Sequence, residues 1–340
     1  SVWQHAYPKY LKRCKELGFN AIEVSDGTIE IDMKTRADCI KRAADMGFLV
    51  VSEVGKKDPD DKVATSKLHE EIAADLKNGA FKVIVEAREA GKGVGIYDKD
   101  GKRYLMHGTT LHGVQYLDRA RQGEAMTYYH VTAPAGELLR SRLFHFNALG
   151  IVGLGAGSLA VYAGPGQRVD FFELDPYNQV VAGRYFTFLS RCKGKLGLIF
   201  GDARLSLRNV AEGTYDIYMV DAFNSDAIPV HLLTVEAMTE YLRHVVPGGL
   251  VLFHISNKYL DLRPVIQANA AQLGVRALYK DTGPHTHPDA RPCIWAAITA
   301  DAGKAAALVS RLGWVDMALQ PVKAIEPWTD RHTNLLAAFP

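Results

Sequence analysis

The feature that most constrains this chain is an ordered succession in its second half. An apolar strand breaks into a glycine run, and three further apolar strands come after it, each closing on an acid. LGIVGLGAGSLAVYAG places Gly153, Gly155 and Gly157 between a strand and a helix start, a turn that lets the backbone approach a ligand closely. VDFFELDP then puts Glu173 at a strand end 20 residues beyond Gly153, where an acid can accept hydrogen bonds from ribose hydroxyls. LGLIFGDARLSL and YDIYMVDAFNSDAIP bring Asp202 and Asp221 to two more strand ends. Such alternation implies a doubly wound sheet with its ligand at the C-terminal ends of the strands. Capping of strand ends explains each acid singly but explains their succession poorly. The order is more typical of an S-adenosylmethionine-type nucleoside site than of a dinucleotide site.

The first half has a different period. The strands AIEVSD, FLVVSEVG and FKVIVEARE place Glu23, Glu53 and Glu86 at spacings of 30 and 33 residues, the length of one βα unit. TRADCIKRAADMG and SKLHEEIAADLKNG lie between them, with the apolar spacing and terminal glycines of helices packed on a parallel sheet. Parallel strands ending in carboxylates suggest a (β/α) barrel, whose chemistry collects at that end. Lys56 and Arg88 come just after two of these acids and would hold an anion that bare carboxylates repel, with Mg²⁺ able to bridge the two. Polar strand termini meeting water are the plain alternative.

Charge narrows the partners. Forty Lys and Arg against 38 Asp and Glu give a formal +2, which speaks against nucleic acid or a membrane surface as partner. Four dispersed cysteines, at 14, 39, 192 and 293, fit a reducing cytoplasm better than a disulfide or zinc framework. No formal charge lies between Arg142 and Arg168, a length that could cross a bilayer, but His145, Asn147 and six glycines there read as strand, turn and helix start. The opening SVWQHAYPKY has no signal-peptide pattern. A homo-oligomer is expected, acting on small molecules.

Over residues 7 to 101, GFNAIEVSDGTIEI, FLVVSEVGKKDP and FKVIVEAREAGKGVGIYDKDG resemble the middle of phosphosulfolactate synthase. That family is a TIM barrel that adds sulfite to phosphoenolpyruvate with Mg²⁺. The resemblance implies that Glu23, Asp26, Glu53, Glu86 and Glu89 fall in its acidic motifs, and that Lys56 and Arg88 hold phosphate, carboxylate or sulfite. Only three or four of eight βα units are visible before the pattern changes, so unpaired strand edges are expected.

Residues 103 to 339 resemble the spermidine synthase family, on HGTTLHGVQYLD, DARLSL, VDAFNSDAIPVHLLT, HISNKYLDL and WTDRHTNLL in order. That family sets a small β-module over a methyltransferase-like Rossmann domain and moves aminopropyl from decarboxylated S-adenosylmethionine to putrescine. The resemblance implies that Glu173 holds the ribose, Asp202 with Ala203 the adenine side, and that Asp221 is the catalytic carboxylate. Asp226 would take the far ammonium of the amine, with Gln115, Tyr128 and Tyr129 closing over it. Packing accounts nearly as well for those last three. Typical members carry an aspartate where this chain has Ala156, and a glutamate where it has Val131. Both departures loosen the tie to a polyamine, and methyl transfer from intact S-adenosylmethionine would use much of the same site. A nucleoside-binding module without catalysis is the third reading.

The expected organisation is therefore a partial TIM-barrel-like segment over 1–101, a β entry module over 102–142, and a Rossmann-like domain over 143–340. His107 and His112 read as turn residues, TGPHTHPDARPC with His285, His287, Asp289 and Cys293 as a proline-rich loop, and His254 as a satisfied core histidine. Trp328, Thr329 and Asp330 either cover the pocket or fix the tail.

Overall fold

The computed structural model describes residues 2–25, 32–54, 65–85, 94–107, 110–141, 143–223, 228–257, 260–283, 287–320 and 322–338. The chain forms two compact units, Ser1–Val94 and Gly95–Pro340. Reading the sequence puts the division at 101/102. The difference is the strand Val94–Lys99, which turns through Asp100 and Gly101 and joins the antiparallel sheet after it.

In the first unit, β1 (Ala21–Val24), β2 (Leu49–Val54) and β3 (Lys82–Val85) form a parallel sheet in the order β1-β2-β3. The intervening helices Met33–Asp45 and Thr65–Lys77 give the expected βαβ repeat. Cys39, Ile40 and Ala43 of the first of these pack with Leu11, Val24, Phe48 and Val50 into one small core. Alternation then sends Leu49, Val51 and Lys82 to the opposite face, where Leu49 is half exposed, and Phe81 just before β3 is 69% exposed. Between the two helices, Arg36 Nε lies 3.0 Å from both carboxylate oxygens of Asp75, and Nη2 lies 2.6 Å from Oδ2.

The second unit opens with β4 (Val94–Lys99), β5 (Lys102–His107) and β6 (Thr110–Tyr116), a meander in that order. Its main sheet has eight strands: β7 (Ala148–Val152), β8 (Arg168–Glu173), β9 (Lys195–Phe200), β10 (Tyr215–Val220), β11 (Val245–His254), β12 (Arg276–Asp281), β13 (Ile294–Thr299) and β14 (Val315–Asp316). Their spatial order is β14-β12-β13-β11-β10-β7-β8-β9. The strands β9, β8, β7, β10 and β11 are mutually parallel, and β13 enters antiparallel between β11 and β12. This is a doubly wound α/β sheet of the methyltransferase type, with the chain reversing outward from β7.

Two cores sandwich this sheet. Ile151, Phe171, Met219 and Leu252 face helices Pro134–Arg140 and Ala302–Leu312. Val152, Phe172, Val220 and Phe253 face Ala203–Leu207, Val235–His244 and Arg263–Gln272. The uncharged stretch after residue 142 is the buried strand β7 and its turn, as its glycines suggest, and no described helix is long and apolar enough to cross a membrane.

The Arg36–Asp75 side chains are only 4% and 2% exposed, so removing one partner strands a buried charge. Asp75→Ala should destabilise the first unit by about 3 kcal/mol or more. An apolar replacement of both residues should recover most of that loss. Denaturant unfolding of the three variants checks this, and an unchanged midpoint for Asp75→Ala would refute it.

Candidate functional site

Strand register builds the site. Phe172, Val152, Val220 and Phe253 are consecutive partners across β8, β7, β10 and β11. One residue further along these parallel strands stand Glu173, Gly153, Asp221 and His254, so four strands deliver two carboxylates, a glycine turn and an imidazole to one edge. β9 adds Phe200 opposite Glu173, and Asp202 comes two residues later.

Gly153 must be glycine twice over. Its φ is +94°, and a Cβ there would stand 2.5 Å from the Asp221 carbonyl oxygen. Gly155, at φ +51°, lies nearly as close to the His112 carbonyl of the entry sheet. The loop's N–H groups are bonded inside the protein. Gly153 N donates to Phe172 O at 2.8 Å, Leu154 N to Glu173 Oε2 at 2.9 Å, Ala156 N to His112 O at 3.4 Å and Gly157 N to Leu154 O at 2.8 Å. The next element is a five-residue 3₁₀ turn, Ser158–Tyr162, rather than the α-helix start expected there. A pyrophosphate needs free N–H groups at a helix N-terminus, so this loop is built for a ligand that brings no phosphate to it.

Glu173 accepts from Leu154 N, from Asn178 Nδ2 at 3.0 Å and from Asp175 N at 3.0 Å, which locks the carboxylate beside the loop. Asp202 caps the helix Ala203–Leu207 by accepting from Leu205 N at 2.9 Å, and its other oxygen lies 3.5 Å from His231 Nε2. Ala203 is buried beneath it. Asp202 is thus a cap and a rim residue at once.

Asp221 differs in kind. Its side chain is 3% exposed, yet both oxygens are bonded. His254 Nδ1 lies 2.7 Å from Oδ1, and the Tyr129 hydroxyl donates to Oδ2. Burial, reinforced by the Asp221 charge, drives the Tyr129 phenol well above its usual range, so it stays a donor. Tyr128 stacks edge-on against Tyr129 at 4.6 Å and lies 4.7 Å from the His254 ring. The strained turn that aims these tyrosines has Thr127 at φ +59°, and Thr127 N donates to Asp289 O at 2.6 Å.

Sequence reasoning missed His254 as part of the site. It is a satisfied, buried histidine, as expected, but its partner is the candidate catalytic carboxylate. The available signal was its place at the end of the strand neighbouring β10. Gln115 stands elsewhere: its amide donates to Gln122 O and Thr187 Oγ1 and accepts from Thr187 N, tying the entry sheet to that segment. Trp328 fixes the tail, buried with its backbone N–H on Asn269 Oδ1, while Asp330 pairs with Arg204. In the proline-rich loop His287 stacks on His130 at 4.3 Å, and Asp289 pairs with Lys102 at 2.8 Å.

Asp226, Asp26, Lys56, Glu86, Arg88 and Glu89 lie outside the described residues, as does the Glu53 side chain. Glu23 is on the partly exposed strand β1. Among the described residues no three His, Cys, Asp or Glu side chains gather as a metal site would need.

Comparison with known proteins separates the two units. Residues 1–106 match the (2R)-phospho-3-sulfolactate synthase (ComA) family. A phosphosulfolactate synthase of Methanocaldococcus jannaschii is 47% identical over 112 residues, which is 30% of this chain and 43% of that enzyme. A polyamine aminopropyltransferase of Vibrio vulnificus is 33% identical over 107 residues, 30% of this chain and 35% of that protein. A probable spermidine synthase of Corynebacterium glutamicum shares the fold, with a TM-score of 0.51 over 71% of this chain and 95% of its own, at 16% identity. The chain joins a phosphosulfolactate synthase-like segment to a spermidine synthase-like fold. It spans less than half the length of either curated relative.

The Asp221 pocket is dry enough to show in a thiol. Burial pushes Cys293, which lies near Asp221, up to about 12. At pH 8 a maleimide should therefore reach the half-buried Cys192 in native protein and Cys293 only in denaturant. Peptide mass mapping reads this, and native labelling of Cys293 would mean that water enters the site.

Proposed function

We propose that the 95–340 unit moves a carbon group from the sulfonium of an S-adenosylmethionine-type nucleoside to an amine. The pair favoured is decarboxylated S-adenosylmethionine and a polyamine such as putrescine. The observation that carries this is the row Glu173, Gly153, Asp221 and His254 along one sheet edge. The phosphate-free glycine loop and the partial likeness to a polyamine aminopropyltransferase support it.

In this reading Glu173 orients the ribose and Asp202 with Ala203 borders the adenine. A protonated amine has no lone pair to attack with, so its proton must leave first. Asp221 accepts or directs that proton. The nitrogen pair then forms a bond to the carbon beside sulfur, and the C–S pair returns to sulfur as a neutral thioether. Tyr128 and Tyr129 wall the site, and Asp226 would hold the distal ammonium.

One observation favours a second reading, methyl transfer from intact S-adenosylmethionine. Ala156 is 1% exposed, and a Cβ on Gly113 would touch its methyl group at 2.4 Å. No carboxylate stands there for an aminopropyl ammonium. Competition between the two nucleosides for the site discriminates the readings.

Asp221→Asn should lower turnover by about 10²- to 10⁴-fold, while methylthioadenosine affinity stays within about threefold, since the ribose and adenine contacts are elsewhere. Steady-state transfer assays and calorimetry measure the two. Failure of folded wild-type protein to bind either nucleoside would end the transferase reading.

For the first unit, sulfite addition to phosphoenolpyruvate with Mg²⁺ is the activity of its family resemblance. A barrel mouth needs a closed sheet, and among the described residues β1 and β3 each keep one unpaired edge. This chain alone should therefore not consume phosphoenolpyruvate with sulfite and Mg²⁺. Turnover in that assay would show that the segment completes its site in some other way.

A further inference from the structure

The hydrogen bonds around Asp221 continue past the residues that the transfer reading uses. Ile294 N donates to Ser256 Oγ at 2.8 Å, Ser256 Oγ lies 3.0 Å from His254 Nε2, and His254 Nδ1 lies 2.7 Å from Asp221 Oδ1. Tyr129 holds the other carboxylate oxygen, and Tyr162 in turn donates to the Tyr129 carbonyl. The imidazole is also fixed as a ring. It stacks on Trp295 at 4.6 Å with 6° between planes, with Tyr128 at 4.7 Å and Phe223 at 4.8 Å.

Each bond has a direction that the groups dictate. An ionised carboxylate only accepts, so the nitrogen facing Asp221 must carry hydrogen, which is Nδ1. Ser256 already accepts from Ile294 and has one hydrogen to give, and Nε2 is the acceptor it faces. A charged ring would cancel the one negative charge that draws a cationic amine and a sulfonium into a buried site. Asp221 meanwhile uses two of its four acceptor positions, one on each oxygen, and keeps the others for a ligand.

The geometry points to His254 as a positioning residue for Asp221: a neutral Nδ1–H tautomer, set by Ser256, that holds the carboxylate ionised and aimed at the amine. This assignment rests on the transfer reading only for its kinetic consequence. The tautomer itself can be read without turnover.

Two measurements test it. In ¹⁵N-histidine-labelled protein near neutral pH, with His254 assigned through its loss in His254→Asn, Nδ1 should appear protonated and Nε2 not. Ser256→Ala should shift that resonance pattern towards a mixture of tautomers. An Nε2–H tautomer, an imidazolium, or no response to Ser256→Ala would overturn the assignment whether or not the protein transfers anything.

The kinetic arm uses His254→Phe, which keeps a ring on Trp295 but no donor. Turnover should fall roughly tenfold to a hundredfold, with the nucleoside KM within about threefold. His254→Asn, which can return an N–H to the Nδ1 position, should recover most of the loss. Equal loss in both variants would leave His254 a packing residue and overturn the positioning role. Absence of any transfer by wild-type protein would instead fail the transferase reading alone. The same three groups have Asp–His–Ser connectivity, so a fluorophosphonate probe is included. Covalent capture at Ser256 would mean an acyl-transfer nucleophile and would overturn the assignment.

Discussion

A carboxylate taken out of water is the constraint on which the second unit turns. Burying Asp221 without partners would cost several kcal/mol, and the chain offsets that cost with two donors from distant segments. His254 comes from the adjacent strand and is placed by register alone. Tyr129 comes from 92 residues upstream and arrives only because the turn at Thr127 is pinned to Asp289. The same ion therefore sets the site's chemistry and binds the entry segment to the sheet. A substrate amine arriving at Asp221 meets a carboxylate already oriented, so little reorganisation is needed at the moment of reaction.

The glycine loop obeys the same logic. In a dinucleotide site the loop leaves N–H groups free for phosphate, and a long helix points its N-terminus at them. Here the loop closes on itself, on Glu173 and on the His112 carbonyl. The entry sheet lies directly on it, which is why Gly113 must be glycine against Ala156. A loop with no hydrogen-bond donors to spare can still shape a pocket for a ribose and a sulfonium. Recognition then falls to Glu173 on one side and the Asp221 cluster on the other.

Much of this was legible in the residues. Strand ends carrying Glu173, Asp202 and Asp221 in order are readable from apolar runs that close on acids, and parallel pairing brings such ends to one edge whatever the loops do. The glycine positions were legible for the same reason, because φ above zero excludes most other side chains. What a linear reading could not supply was side-chain direction. Gln115 looks like a ligand contact until its amide is seen bonded to Thr187, and His254 looks like filler until β11 is laid beside β10. Both outcomes depend on which strands are neighbours, a property of the sheet order and not of local pattern. The start of the antiparallel sheet at Val94 was hidden too, since GVGIYDKDG serves equally well as a family's loop and as a hairpin strand.

The first unit shows the opposite relation between pattern and completeness. Its local rules agree with one another: helices alternate with strands, Asp32 caps the helix Met33–Asp45, and a buried Arg36–Asp75 pair links two helices. Yet those rules cover only the helix-facing side. In a closed barrel the other side of each strand packs against the remaining strands, and the residues there are chosen for that interior. Leu49 half exposed and Lys82 on the same face of neighbouring strands are what such a choice leaves when three strands stand together. Local consistency makes a βα unit, whereas a barrel mouth is a property of closure, so strand-end acids here are necessary for that family's chemistry without being sufficient for it.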